Sequence, residues 1–87
     1  MSDQFKRGDQ VARIPDHADN IDHLDVEFGF ITSIPDGTGY AVFVRFWSKR
    51  NPKELRTKAN SELTPVENLA KYQSKPQEEI NKLLKTL

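Results

Sequence analysis

The chain has 87 residues and no cysteine, and its 13 basic and 13 acidic side chains give a formal net charge of zero. This length indicates a single domain with a small core, and the lack of cysteine excludes disulfides, thiolate metal sites and thiol catalysis. The first residues contain no apolar run, and no stretch approaches the length that spans a membrane. We therefore expect a soluble cytoplasmic protein that does not associate with membranes.

The charges are unevenly placed along the chain. Residues 16–27 contain five acids and no Lys or Arg, whereas residues 45–58 contain six bases and one acid. The acids of the first segment are Asp16, Asp19, Asp22, Asp25 and Glu27, and the bases of the second are Arg45, Lys49, Arg50, Lys53, Arg56 and Lys58. Such a distribution can attract a partner locally although the total is neutral. The alternative is that the two loops are solvated and partly neutralise each other.

A first strand is predicted over residues 9–14. Gly8 and Asp9 form a turn signal before it, and Pro15 ends it because proline has no N–H for a strand ladder. Val11 and Ile14 are its expected core residues. The mixed apolar pattern indicates a bent strand.

The polar loop at residues 16–26 contains weak candidates for metal ligands, His17, His23 and Asp25. Their spacing fits no metal motif of fixed geometry. We therefore expect no metal and no cofactor, and a metal-binding His/Asp loop stays open as a minor alternative. The simpler interpretation is that Asp and Asn side chains hydrogen-bond to the backbone of their own loop.

A β-hairpin is predicted where two runs rich in β-branched and aromatic residues, 27–34 and 40–47, flank the turn sequence Pro-Asp-Gly-Thr-Gly. Gly29 lies inside the first run, where glycine commonly marks a bulge, a bend or the close approach of another backbone. In the second run, Val42, Val44 and Phe46 share one face. We assign that face to the core.

The opposite face of the second run is the strongest functional candidate in the sequence. The candidate binding residues, here called the basic-aromatic set, are Phe43, Arg45, Trp47, Lys49, Arg50, Lys53, Arg56 and Lys58. Aromatic rings beside cations can stack on bases while the cations neutralise phosphates, or they can hold an extended peptide. The alternative is structural: one of the aromatics packs under a C-terminal helix, and the arginine covers it with its aliphatic stem.

A last strand and a short turn are predicted within residues 61–70. Leu63, Val66 and Leu69 are the expected buried anchors. Pro65 favours an edge strand or a short helical turn at this point, because proline cannot donate to a central ladder.

An amphipathic helix is predicted over residues 74–87. Ser74 and Gln77 have capping-box spacing, and Pro76 suits a first helical turn. The apolar residues follow at helical spacing and form one stripe, consisting of Ile80, Leu83, Leu84 and Leu87. A helix of this length is marginal on its own in water, so we expect the stripe to pack on the rest of the domain or on another chain.

Several short segments, in order and spacing, together resemble a known group of proteins. They are Gly8-Asp9-x-Val11, Ile14-Pro15-x-His17-Ala18, His23-x-Asp25-x-Glu27-x-Gly29-x-x-Thr32-Ser33, Val42-Phe43-Val44-Arg45-Phe46, and Ala59-Asn60 with Pro65 and Leu69. Over residues 5–69 the chain resembles small uncharacterised bacterial proteins of phage and prophage type, whose layout is similar to the SH3-like barrel of KOW and Tudor domains. Leu24 stands where those proteins have a proline, and Val26 and the pair Ser61-Glu62 stand where a cysteine is frequent. The resemblance implies a fold and carries no activity.

The sequence therefore predicts a mainly β protein, an SH3-like small barrel of about five strands over residues 5–70 with a C-terminal helix over residues 74–87, forming one domain. No nucleophile stands beside a paired base in a known motif and no glycine-rich phosphate loop is present, so we expect a non-enzymatic interaction module. The leading hypothesis is that the basic-aromatic set binds nucleic acid or a ribonucleoprotein. The second is a protein–protein adaptor that uses the barrel face or the helix. We expect a monomer or weak dimer with no small-molecule substrate.

Overall fold

The computed structural model describes residues 5–35, 40–48, 54–55 and 61–86. Its strands are β1 (Gln10–Arg13), β2 (Glu27–Ser33), β3 (Ala41–Phe46), β4 (Glu62–Pro65) and β5 (Leu69–Lys71). A 3₁₀ turn, Val66–Asn68, joins β4 to β5, and helix α1 spans Gln77–Thr86. The strands form one antiparallel sheet in the order β4-β3-β2-β1-β5, curled into a half-barrel. The predicted fold class, a small SH3-like barrel of about five strands with a C-terminal helix, is confirmed.

Apolar side chains pack on both faces of the sheet. The inner core consists of Phe5, Val11, Ile31, Val42, Val44, Phe46 and Leu69. The outer core, between the sheet and α1, consists of Phe30, Trp47, Ile80 and Leu84. Because side chains alternate along a strand, β2 supplies Phe30 to the outer core and Ile31 to the inner core, and both are fully buried. The prediction that Val42, Val44 and Phe46 face the core is confirmed, whereas Ile14 is only half-buried.

Gly29 is the point at which β2 and β3 come closest. A Cβ atom added there would lie 2.3 Å from the Arg45 carbonyl oxygen and 3.0 Å from the Phe46 Cα. The predicted close approach of another backbone is therefore confirmed. The bulge lies further along, where the pairing register of the two strands shifts between Ile31 and Ser33.

Arg13 of β1 binds both the neighbouring strand β2 and β4, which is not a neighbour of β1 in the sheet. Its guanidinium forms ion pairs with Glu27 of β2 and with Glu62 of β4, and it lies 4.4 Å from the centre of the Phe46 ring. Burial opposes the charge of Arg13, but the hydrogen bonds and charges of the two carboxylates outweigh it and raise the pKa of the guanidinium. The arginine stays charged in the folded protein, and its two ion pairs join β1 and β2 to β4 across the curl of the sheet.

The expectation for β4 was wrong at Leu63. This side chain is 55% exposed, whereas its neighbour Thr64 is fully buried. Strand pairing places Thr64 opposite the buried Val42 and Leu63 opposite the half-buried Phe43. The Thr64 hydroxyl can be buried because it donates to the Glu62 carbonyl at 3.0 Å. The other two expected anchors do pack: Leu69 is buried and Val66 is half-buried against the inner core.

Helix α1 begins at Gln77, later than the predicted start at residue 74. The Gln77 side chain does not serve a capping box with Ser74 but donates to the Gly8 carbonyl at 2.9 Å. Ile80 and Leu84 are buried against the sheet, and Leu83 is half-buried beside them, while Leu87 of the predicted stripe lies outside the described residues. Within the described part of the chain, no helix has the length and apolar character needed to cross a membrane.

A buried glutamine of β1 fixes the segment that leads into the helix. The Gln10 side chain is 95% buried, donates to the Lys75 carbonyl at 2.7 Å and accepts from the Lys75 N–H at 3.0 Å. It also donates to the Gln77 side chain at 3.1 Å. Arg7 secures the far end of the helix by donating to the Leu84 carbonyl at 3.1 Å.

Replacement of Gly29 tests the contact between β2 and β3. Gly29→Ala is expected to lower the free energy of unfolding by at least about 2 kcal/mol, because the new methyl group must displace the Arg45 carbonyl. Urea denaturation measures this change. Ser33→Ala, at an exposed position of the same strand, is the control and should change stability by less than about 0.5 kcal/mol. Equal stability of the two variants would contradict the close approach.

Replacement of Gln10 tests the attachment of the helix. Gln10→Ala removes both hydrogen bonds to Lys75 and is expected to cost about 2 kcal/mol of unfolding free energy, because buried polar partners are left unpaired. Amide hydrogen exchange should show the loss first in α1. Gln73→Ala, at an exposed glutamine near the helix, is the matched control. If the helix amides exchange equally fast in both variants, Gln10 does not hold the helix.

Candidate functional site

The described members of the basic-aromatic set are mostly inside the protein. Arg45 and Trp47 are only 5% and 6% exposed, and Phe43 is half-buried. Trp47 packs on Phe30, with ring centres 5.9 Å apart, beneath the helix residues of the outer core. Trp47 is thus the aromatic that packs under the helix, as one part of the structural alternative described. The other members, Lys49, Arg50, Lys53, Arg56 and Lys58, lie outside the described residues.

The acidic loop between β1 and β2 is built from consecutive turns. Backbone hydrogen bonds run from Ala18 to Pro15, from His23 to Asn20 and from Val26 to His23. The Asn20 side chain accepts from the Asp22 N–H at 2.9 Å. The expectation that an Asn side chain bonds to the backbone of this loop is confirmed, and these bonds give the loop a defined shape.

The three weak metal candidates of the sequence come together in this loop. One ligand atom from each of His17, His23 and Asp25 lies within 4.8 Å of the other two, and all three side chains are exposed. His17 Nε2 is 2.6 Å from Asp25 Oδ2, and the two imidazole rings meet edge to face with centres 5.2 Å apart. His23 Nδ1 accepts the backbone N–H of Asp25 at 3.0 Å. We call this group the His-Asp cluster.

A cleft of about 600 Å³ lies beside the cluster. It is bounded by loop residues 21–24, residues 26–28 at the start of β2, residues 47–48 after β3, and residues 74–75 before the helix. We call it the loop cleft. Its apolar side chains include Phe28, which is half-buried, and Leu24, which is 89% exposed at its rim. An exposed leucine on a wall of an apolar cleft provides surface that a bound partner can remove from water.

The loop that borders the cleft carries negative charge that no described cation pairs with. The carboxylates of Asp16, Asp19 and Asp22 are exposed, and among the described residues no Lys, Arg or His lies within ion-pair distance of them. Among the described residues that line the cleft, Lys75 is the lysine, and its Nζ lies 4.7 Å from the centre of the Trp47 ring. The cleft therefore combines apolar walls, an acidic loop and one lysine held over an indole.

Trp47 gives the loop cleft an unusual polar group. Its indole N–H is buried and has no hydrogen-bond partner within the part of the chain that the structure describes. A buried donor without a partner costs free energy, and Trp47 is also one of the residues that line the loop cleft. Lys75 and Phe28 were not predicted as site residues, since their roles depend on contacts between distant segments. Leu24, a large apolar residue within a polar loop, was the one available signal.

Comparison of the chain with protein-family models, with curated proteins and with solved structures finds no match. The resemblance of residues 5–69 to small phage-type and prophage-type bacterial proteins therefore stays a prediction. The fold is established by the arrangement of its strands and helix, and any function must be argued from the geometry of the loop cleft, the His-Asp cluster and the basic segment.

Proposed function

We propose that the protein is a non-enzymatic interaction module whose loop cleft binds an extended, basic segment of a partner protein. The observation that carries this proposal is an apolar cleft of about 600 Å³ bordered by an acidic loop. This volume lies in the usual range of binding pockets, about 300–1,000 Å³. A leucine that is 89% exposed at the rim supplies apolar area for a partner.

The composition of the cleft favours a peptide over a purely apolar ligand. Protein interfaces combine an apolar centre with a polar rim, and here Phe28 and Trp47 form the centre while Asp22 and Lys75 stand beside them. An apolar side chain of the partner would lie against the two aromatic rings. A backbone carbonyl or carboxylate of the partner would face Lys75.

Charge complementarity favours a basic partner. Asp22 lines the cleft and has no counter-ion among the described residues, so a Lys or Arg next to the apolar anchor would find a carboxylate that is not already paired. Asp16 and Asp19 of the same loop are likewise without a counter-ion there and add to its negative charge. Such charges mainly raise the association rate and select against acidic partners. The apolar anchor supplies most of the affinity, because exposed ion pairs contribute little.

Nucleic-acid binding by the basic segment is the second candidate function. The Ser48 N–H donates to the Glu54 carbonyl at 2.8 Å, and Trp47 pairs with Leu55, so the two ends of the intervening segment are joined. That short segment carries Lys49, Arg50 and Lys53. Phosphate contacts need positive charge, which these three side chains supply.

Selection of short random peptides on the immobilised protein tests the first proposal. We expect enrichment of peptides that combine a large apolar residue with Lys or Arg, and quenching or shift of the fluorescence of Trp47, the one tryptophan of the chain. Leu24→Ser should weaken the enriched peptides at least about tenfold, because burial of a leucine contributes about 1.5–3 kcal/mol. Since Leu24 is 89% exposed, the variant should fold normally.

The matched control is Leu63→Ser, which removes an exposed leucine of β4 that does not line the loop cleft. Peptides should bind this variant as they bind the unchanged protein. The proposal is wrong if no peptide is enriched, or if the enriched peptides bind Leu24→Ser and Leu63→Ser equally well.

A salt titration tests the nucleic-acid candidate. Binding of a single-stranded oligonucleotide should weaken with salt by about 0.7 log units per log unit of salt for each phosphate contacted. The triple variant Lys49→Ala, Arg50→Ala, Lys53→Ala should bind more weakly and with a shallower salt slope. The control, Lys82→Ala with Lys85→Ala, removes exposed charges from the helix. No binding at low salt, or equal effects of the two variants, excludes this candidate.

A further inference from the structure

We propose that His17, His23 and Asp25 form a binding site for a divalent transition-metal ion of the zinc class. The chain has two histidines, and the fold brings both of them to the same carboxylate. One ligand atom from each residue lies within 4.8 Å of the others. This inference is independent of the peptide proposal, because it rests on the His-Asp cluster alone.

The distances between the ligand atoms are close to those of a metal site. Zinc bonds of about 2.0–2.1 Å in tetrahedral geometry place neighbouring ligand atoms about 3.4 Å apart. Asp25 Oδ2 lies 2.6 Å from His17 Nε2 and 4.0 Å from His23 Nδ1, one distance below that value and one above it. All three ligand atoms lie within 4.8 Å of one another, so rotations that move the exposed side chains by at most about 1.5 Å bring the three distances to the value of a coordinated ion.

Metal binding would replace two hydrogen bonds of the cluster. The ion would take the place of the proton shared by His17 and Asp25. Coordination through His23 Nδ1 would release the Asp25 N–H that this nitrogen accepts. Asp25 is exposed, so water can satisfy the released N–H, and the exchange leaves no buried polar group unpaired.

The types of ligand select the class of metal. Two imidazoles and one carboxylate suit zinc, cobalt, nickel and copper, whereas calcium and magnesium prefer oxygen ligands alone. Three protein ligands leave the fourth tetrahedral position to water. The unpaired carboxylates of Asp16, Asp19 and Asp22 surround the cluster with negative potential, which raises the local concentration of cations.

A bound ion would join the two ends of the acidic loop. His17 lies near its start, and His23 and Asp25 lie near its end, so coordination would add a cross-link over the intervening turns. His23 also lines the loop cleft. The ion would therefore fix one wall of the cleft whether or not a peptide occupies it.

Titration of the untagged protein with Zn²⁺, followed by NMR of the histidine side chains and by calorimetry, tests the site. We expect one ion per chain and displacement of the resonances of both imidazoles. His17→Gln and His23→Gln should each weaken Zn²⁺ at least about tenfold, since even the loss of an outer partner of a ligand costs tenfold or more. Asp25→Asn should do the same while keeping the shape of the side chain.

Asp19→Asn is the matched control, because it removes a carboxylate of the same loop that is not part of the His-Asp cluster. Its affinity for Zn²⁺ should stay within about twofold of the unchanged protein. Amide spectra of each variant verify that the fold is retained. The site is overturned if excess Zn²⁺ leaves the histidine resonances unmoved, if the cluster variants bind as Asp19→Asn does, or if Ca²⁺ binds as tightly as Zn²⁺.

Discussion

The structure depends on the burial of apolar side chains from both faces of one small sheet. Phe30 and Ile31 are neighbours in β2, point to opposite faces and are both fully buried. Ile31 lies on the inner face, which the curl of the sheet covers. Phe30 lies on the outer face, which must be covered by another element of the protein. Helix α1 has ten residues, too few to be stable alone in water, so the helix and the outer face of the sheet each require the other.

The need to fill the outer core limits the part of Trp47 that is available for binding. Trp47 fills the outer core between Phe30 and the helix, so most of its ring area is already used for stability. What remains available is the edge that lines the loop cleft, where Lys75 lies over the ring. Binding surface in this protein is therefore expected where the loops meet the edge of the sheet, with the start of β2 as one wall, as is common where a rigid scaffold carries its sites on connections.

The sequence predicted those features that follow from local periodicity. The alternation of Val42, Val44 and Phe46 identified the inner face of β3, and helical spacing identified Ile80 and Leu84 as the packed side of α1. The prediction that Leu63 is buried was wrong because it relied on hydrophobicity without knowledge of the register of β4. Thr64 pairs with Val42, so Thr64 and not Leu63 points inward. A strand register is fixed by long-range pairing, which one segment does not reveal.

Contacts between distant segments set the limit of prediction for the site as well. The convergence of His17, His23 and Asp25 depends on the turns of the loop between β1 and β2, and their spacing alone matched no motif. The two hydrogen bonds between Gln10 and Lys75, a residue 65 positions away, were likewise not predictable from the sequence around Gln10. The contacts of polar residues in loops and at strand ends are determined by residues distant in sequence. Hydrophobic periodicity therefore predicts the roles of these residues less well than those of core residues.

The position of His23 links the two proposals thermodynamically. It contributes one atom to the His-Asp cluster and also lines the loop cleft. If an ion orders this wall and thereby tightens peptide binding by some factor, linkage requires the peptide to tighten ion binding by the same factor. The coupling must act through the loop alone, since Phe28, Trp47 and Lys75 on the other walls are held by the sheet and by Gln10. A ligand held by the loop can thus alter the affinity of the cleft while the contacts of the sheet and of Gln10 stay unchanged.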